Sequence, residues 1–102
     1  MPIEIFWQDE NGQILEKSPT WFNPWSYMCE PQDLDSTSCL RFIDEYGDTT
    51  FNQYQISLLI NELESIRQHS KNEEARESLE LLIAFVRKAE DHVHTYIKFV
   101  GD

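Results

Sequence analysis

Apolar residues at helical spacing predict two helices in the second half of the chain. In the first helix, residues three or four positions apart form one stripe: Ile56, Leu59, Ile60, Leu63 and Ile66. This spacing places them on a single helix face. Asn52 followed by Gln55 is a variant of the capping box, so the helix is predicted to begin directly after Phe51.

The second predicted helix follows after a short link. Its apolar stripe consists of Ala75, Leu79, Leu82, Ile83, Val86 and Val93. Residues 70–73 fit a second capping box with Ser70 at its start. Acidic residues come early in this helix and basic residues come late, as the helix dipole favours. Because the link is short, the two helices are predicted to form an antiparallel hairpin.

Residues typical of β-structure precede and follow the helices. Residues 3–8 alternate loosely between apolar and polar and predict a strand, and 13–17 can form its partner. Asn11-Gly12 lies between these runs, and this pair suits the positive φ angles of a type I′ turn. Residues 96–100 predict the last strand of the chain.

The middle of the chain contains a third apolar run and a turn. Residues 39–43 are nearly all apolar and predict a strand in the centre of the sheet. Gly47 is predicted to turn the chain in the left-handed region, and 48–51 can then pair back briefly.

The order of these elements is β-β-β-(β)-α-α-β, which predicts an α+β fold. We expect one mainly antiparallel sheet with the two-helix hairpin packed on one face. The length of 102 residues predicts that residues 1–102 form a single domain. With 40% hydrophobic residues, the chain can build one core without disulfides.

Charge excludes several classes of partner. The formal net charge is −11, and residues 1–52 hold ten acidic side chains against two basic ones. Like-charge repulsion makes nucleic acid and anionic membrane unsuitable partners. The longest apolar run, 81–86, is much shorter than the ~20 residues of a membrane span. Residues 1–4 lack the start of a signal peptide, so we expect a cytoplasmic protein with reduced thiols.

No spacing of residues indicates catalysis, a metal or a cofactor. An EF-hand loop beginning at Asp44 would have its glycine at position 4 and Gln55 in place of the ligating glutamate. Two cysteines and two histidines lack the spacing of a zinc site: Cys29, Cys39, His92 and His94. No motif for a nucleophile or a phosphate loop is present in the sequence. We therefore predict that the protein is not an enzyme.

Aromatic residues beside acids are the remaining candidates for a binding site. Residues 18–38 form a long loop for a small domain, and such loops are often functional. The candidate partner-binding residues in and after this loop are Trp21, Trp25, Tyr27, Asp33, Asp35, Asp44, Glu45, Tyr46 and Asp48. Trp and Tyr are enriched at interface hot spots, and acids steer basic partners.

Each group of candidates also has a purely structural interpretation. Trp21, Phe22 and Trp25 can fold back over the open face of the sheet, which we favour over an interface role. The acids can simply be solvated. If 39–43 is a strand, the loop and the turn after that strand lie at its opposite ends and form two separate patches.

The run from Cys39 to Asn52 and the ending from Tyr96 to Asp102 resemble a set of small bacterial proteins of uncharacterised activity. Those proteins carry an F-I-D-x-Y-G-D-T-x-F-N core and a terminal K-F-x-G-D. The resemblance implies no functional residue. In size, acidity and α+β make-up the chain is also similar to immunity proteins that neutralise basic toxins, although no motif supports that likeness.

The sequence therefore predicts a non-enzymatic acidic module that binds a basic protein, such as an immunity-type inhibitor of a bacterial toxin or effector. A structural or regulatory protein that acts through homodimerisation is the alternative, and either a monomer or a homodimer is compatible with the sequence. A small metal-dependent enzyme is a weaker third hypothesis.

Overall fold

The computed structural model describes residues 3–22, 38–44, 46–70 and 72–101. The strands are β1 (Glu4–Asp9), β2 (Ile14–Lys17), β3 (Asp48–Phe51) and β4 (Thr95–Val100). The helices are α1 (Gln53–His69) and α2 (Glu73–Glu90), and a 3-10 turn spans Leu40–Phe42. The predicted α+β class, the antiparallel sheet and the two helices are confirmed.

The last strand of the chain holds the sheet together. Within the described residues the strand order is β2-β1-β4-β3, and all neighbours are antiparallel. The pairing of β1 with β4 runs from Glu4 opposite Val100 to Asp9 opposite Thr95. On its other side, β4 pairs with β3 from Asp48 opposite Val100 to Phe51 opposite Ile97. A strand that ends the sequence therefore occupies the interior of the sheet.

Alternate residues of the central strands face the helices and build the core. In β4, Ile97 and Phe99 are fully buried, and Ile5 of β1 is buried with them. Phe99 makes edge-on ring contacts with Phe22 and Phe51, at centroid distances of 5.4 and 5.6 Å. These aromatic contacts join β4 to β3 and to the segment that follows β2.

The first helix follows its predicted pattern. Asn52 caps α1 by accepting hydrogen bonds from the amides of Tyr54 and Gln55, and the Gln55 side chain accepts from the Asn52 amide. The predicted stripe is buried throughout: Ile56, Leu59, Ile60, Leu63 and Ile66. The capping box and the core face of α1 are both confirmed.

The start and end of the second helix differ from prediction. The N-cap of α2 is Asn72, whose side chain accepts from the amides of Glu74 and Ala75. Ser70, the predicted cap, is the C-terminal cap of α1, and its carbonyl accepts a hydrogen bond from Arg76 Nε at 2.8 Å. Val93 lies beyond the helix and is exposed, so it does not continue the core stripe.

The strand predicted for 39–43 is wrong, because Leu40–Phe42 is a 3-10 turn. The carboxylate of Glu62, in the middle of α1, accepts hydrogen bonds from the amides of Ser38, Cys39 and Leu40 at 2.8–3.1 Å. Three amides that converge on one carboxylate cannot also belong to a strand ladder. Leu40 and Cys39 are buried, as expected for an apolar run, but Phe42 is exposed.

The β1–β2 connection is a three-residue loop and not a type I′ turn. The Gly12 amide donates to the Asp9 carbonyl, and the Asp9 amide donates to the Gln13 carbonyl, both at 3.0 Å. Asp9 Oδ1 also accepts from the amides of Asn11 and Gln13. Only Gly12 in this loop has a positive φ, +82°. This is the arrangement of a type I turn followed by one left-handed residue.

Ion pairs connect the two helices on their exposed sides. Glu64 of α1 lies 2.8 Å from Arg67 and 3.3 Å from Arg87 of α2, and Arg67 also reaches Glu80.

Neither described helix is long and apolar enough to cross a membrane.

The pH dependence of stability tests this ion-pair network. The hydrogen bond from Arg67, with the nearby positive charges of Arg67 and Arg87, lowers the pKa of Glu64 below its usual value of 4.5. A lowered pKa contributes stability above pH 4.5, and this contribution is lost as the pH falls through the folded-state pKa. Glu64→Gln should therefore lower the free energy of unfolding slightly at pH 7, and this difference from wild type should vanish in acid.

Urea denaturation at a series of pH values measures the effect of Glu64→Gln. Glu77→Gln is a suitable control, because Glu77 is exposed and makes no ion pair with the described residues. A difference between wild type and Glu64→Gln that persists undiminished at pH 3 would contradict the role of the charge.

The contact between Glu62 and the 3-10 turn makes a second prediction. Glu62→Ala should reduce the free energy of unfolding by about 1–3 kcal/mol, because part-buried amides lose their acceptor. Burial, and then the charge of Glu62, raise the pKa of the Cys39 thiol. In a Cys29→Ser background, Cys39 should therefore react faster with iodoacetamide once Glu62 is replaced. Equal reactivity and stability in the two proteins would show that the turn does not depend on Glu62.

Candidate functional site

The described candidate residues lie along one end of the sheet. Phe22 exchanges backbone hydrogen bonds with Ile3, next to the start of β1. On the far side of β4, the Gly101 amide donates to the Gly47 carbonyl at 2.7 Å. The registers place these pairs in one row across the sheet, about 15 Å long from three strand spacings. Trp21 and the turn before β3 therefore lie at the same end of the sheet.

We call this region the sheet-end surface and define it by its exposed aromatic and acidic residues. They are Trp21 on the β1 side and Asp44, Tyr46 and Asp48 on the β3 side, and we include the exposed Phe42, which lies two residues before Asp44 in the sequence. Trp21 is 53% exposed, Phe42 63% and Tyr46 76%. Large aromatic side chains with this much accessible surface, beside carboxylates, are typical of protein-binding surfaces.

The turn before β3 is built around the carboxylate of Asp44. Its Oδ1 accepts a hydrogen bond from the Tyr46 amide at 2.9 Å, and the Asp44 amide donates to Thr49 Oγ1 at 2.9 Å. This side chain therefore shapes the turn through an Asx-type contact.

Gly47 is required here for a reason other than the predicted one. Its φ is not in the positive range, so the predicted left-handed conformation is wrong. A Cβ atom at Gly47 would lie 2.8 Å from Asp44 Oδ2, closer than side chains tolerate. The glycine thus makes room for the carboxylate that forms the turn.

Asp48 makes an ion pair along the outer face of the sheet. Its Oδ2 lies 3.2 Å from Lys98 Nζ, and both side chains remain partly accessible to water. Lys17 and Glu4 form a similar pair at 2.8 Å on the neighbouring strands. The charges of these two lysines are therefore neutralised by acids of the sheet, and the net charge of this region remains negative.

The two neighbouring aromatics at 21 and 22 have separate roles. Phe22 is buried and contacts Phe99, so it covers the core as the structural interpretation predicts. Trp21 is exposed beside it. The backbone pairing of Phe22 with Ile3 thus fixes the position from which Trp21 is presented.

The structure brings together candidates that the sequence placed in two patches. Trp21, Asp44, Tyr46 and Asp48 lie at one end of the sheet, because β4 joins the strands beside them. The separation into two patches assumed a strand at 39–43, and that assumption was wrong. The other candidates fall outside the described residues: Trp25, Tyr27, Asp33, Asp35 and Glu45.

Phe42 is a residue of this surface that the sequence did not indicate. It was expected in the core, but it is exposed, and the Arg41 guanidinium lies 4.7 Å from its ring centroid. The only local signal was Arg41 itself, a charge in the middle of an otherwise apolar run. A guanidinium over an aromatic ring also illustrates the contact that this ring can make with a basic partner.

The metal-ligating and thiol side chains of the described residues were the other candidates for chemistry. Among them there is no group of three or more His, Cys, Asp or Glu side chains that could hold a metal ion. Cys39, a buried free thiol, has a raised pKa and lies under the 3-10 turn. A protonated, buried thiol is a weak nucleophile.

No protein-family model, curated protein or solved structure matches this chain. The assignment of a function therefore depends on the residues and their geometry.

The close approach of Gly47 to Asp44 gives a testable prediction. Gly47→Ala should destabilise the protein by about 0.5–1.5 kcal/mol, because the Asp44 carboxylate must move away from the added methyl group and gives up its hydrogen bond from the Tyr46 amide. Asp44→Ala removes that carboxylate, so the double variant should lose less stability than the two single losses added together. Chemical denaturation of the four proteins measures this coupling. Strictly additive losses would mean that Gly47 and Asp44 do not interact.

Proposed function

We propose that this protein is a non-enzymatic, cytoplasmic binding module for a basic protein, and that the sheet-end surface is its binding site. An immunity-type inhibitor of a basic bacterial toxin or effector has this character. The observation that supports the proposal is the grouping of three exposed aromatic rings with Asp44 and Asp48 at one end of the sheet.

Electrostatics favours a basic partner for this surface. The chain carries a net charge of −11, and most described cations are already in ion pairs: Lys17, Arg67, Arg87, Lys88 and Lys98. A partner with a positive surface would be attracted over distances comparable to the Debye length, about 8 Å at physiological salt. A cleft that normally holds nucleic acid phosphates is one such surface, and carboxylates can take the place of those phosphates there.

The aromatic rings supply binding affinity that the charged residues alone do not. Each acid on an exposed surface increases the rate of association but adds little affinity by itself. Trp21, Phe42 and Tyr46 offer apolar area that a partner can bury, and their rings can stack on arginine. The proposed division of labour is that the acids steer the partner and the rings hold it.

Neutralising the acids of the turn tests the proposal. The triple variant Asp44→Asn, Glu45→Gln and Asp48→Asn removes three charges, and the amide introduced by Asp44→Asn keeps an oxygen that can accept from the Tyr46 amide. A cationic protein captured on the immobilised chain, then purified, is titrated calorimetrically at low and high salt. The triple variant should bind about tenfold or more weakly, and its affinity should depend less on salt.

A control triple variant separates the site from the overall charge. Glu73, Glu74 and Glu77 are exposed acids on α2, and changing all three to Gln alters the net charge equally. This control should bind the partner nearly as well as wild type. Equal losses in the two triple variants, or unchanged affinity in the first, would remove the sheet-end surface from the account.

A further inference from the structure

The outward face of α1 carries no charged residue, in a chain that is 26% charged. The exposed residues of this face are Tyr54, Ser57, Leu58, Asn61, Ser65 and Gln68. The exposed side of α2 differs sharply, because α2 contains eight charged residues out of eighteen. Depletion of charge together with an exposed Tyr is the compositional signal of a protein interface. We call these six residues the neutral face.

The neutral face lies directly opposite the core stripe of α1. At about 100° per residue, its six positions fall within an arc of about 100°. Tyr54 is 95% exposed and Leu58 43%, so the described residues do not cover this face.

The charged residues of α1 lie on either side of this face, and each contacts another part of the chain. Glu62 holds the amides of the 3-10 turn, and Glu64 and Arg67 bind each other and side chains of α2. None of these contacts crosses the neutral face.

The neutral face is complementary to itself about Asn61. Tyr54 and Gln68 lie seven positions before and after Asn61, and Ser57 and Ser65 lie four positions before and after it. An antiparallel pair of identical helices with a twofold axis at Asn61 therefore places Tyr54 opposite Gln68 and Ser57 opposite Ser65. Leu58 lies opposite Glu64, which is beside the face and whose carboxylate is paired with Arg67 and Arg87 of its own chain. Each such contact occurs twice, as an isologous interface requires. The Asn61 amides, which both donate and accept, can bond each other at the axis.

We propose that two copies of this chain form a dimer through the neutral face of α1, packed antiparallel about Asn61. The arrangement of the face about Asn61 indicates a second copy as the occupant, and electrostatics limits where that copy can dock. Two molecules that each carry a charge of −11 repel each other over most of their surfaces. The neutral face lets them touch without placing like charges in contact, and the small Ser57 and Ser65 permit close approach of the helices.

The dimer is of the transient class. One face of a 17-residue helix on each copy buries less than the ~1,200 Å² of a standard interface, so we expect a dissociation constant between about 1 µM and 1 mM. Salt should strengthen the dimer, because it screens the repulsion between two acidic molecules. Binding of a basic partner should weaken with salt. The opposite salt responses keep this proposal independent of the proposed function.

Sedimentation velocity of the full chain at about 1 µM and about 1 mM tests the dimer, since these concentrations span the range expected for the dissociation constant. Wild type should shift toward the sedimentation coefficient of a dimer at the higher concentration, and further in high salt. Leu58→Glu should weaken association about tenfold or more. Leu81→Glu is the matched control, because Leu81 is an equally exposed leucine on α2, and it should behave as wild type.

Cross-linking tests the position of the twofold axis. In a Cys29→Ser background, Asn61→Cys should form a disulfide-linked dimer on mild oxidation, whereas Leu81→Cys should not. Circular dichroism checks the fold of each variant, and Ser65→Glu replaces Leu58→Glu if that variant unfolds. A wild type that remains monomeric at both concentrations overturns the proposal. So does a dimer that survives both glutamate substitutions.

Discussion

Pairing of β4 with β1 on one side and β3 on the other is the contact on which the rest of the structure depends. It joins the first strand of the chain to the strand that leads into α1. Phe99 of β4 then contacts Phe22 and Phe51, one from each side, and is fully buried. The same pairing aligns Gly101 with Gly47 and so brings the acidic turn to the end of the sheet where Trp21 lies.

This arrangement gives the molecule three surface regions that differ in charge. The exposed side of α2 and the ion pairs between the helices carry alternating charge, the sheet end combines acids with exposed rings, and the outward face of α1 is neutral. We propose a different contact for each region: water, a basic protein and a second copy of the chain. The two proposed contacts use different faces and respond oppositely to salt.

Local patterns in the sequence were enough to predict α1, most of α2, the strands β1 to β4 and the fold class, since periodicity and caps are short-range signals. They failed where a distant contact decides the conformation. The run 39–43 has the apolar composition of a buried strand. It forms a 3-10 turn because Glu62, more than twenty residues away, accepts hydrogen bonds from its amides. Gly47 was rightly identified as special, yet its role follows from the position of Asp44 Oδ2 and not from a positive φ. The grouping of Trp21 with Asp44 depended on strand order, which the sequence does not encode locally.

The most direct test of the central claim, that the sheet end recognises a basic protein, is an NMR titration of the labelled chain with the captured cationic partner. The account predicts that the largest shifts fall on the Gly47 and Gly101 amides and on the Trp21 indole, with little change at the start of α2. Shifts centred on Glu73 and Glu74, or spread evenly over the acidic surface, would contradict it.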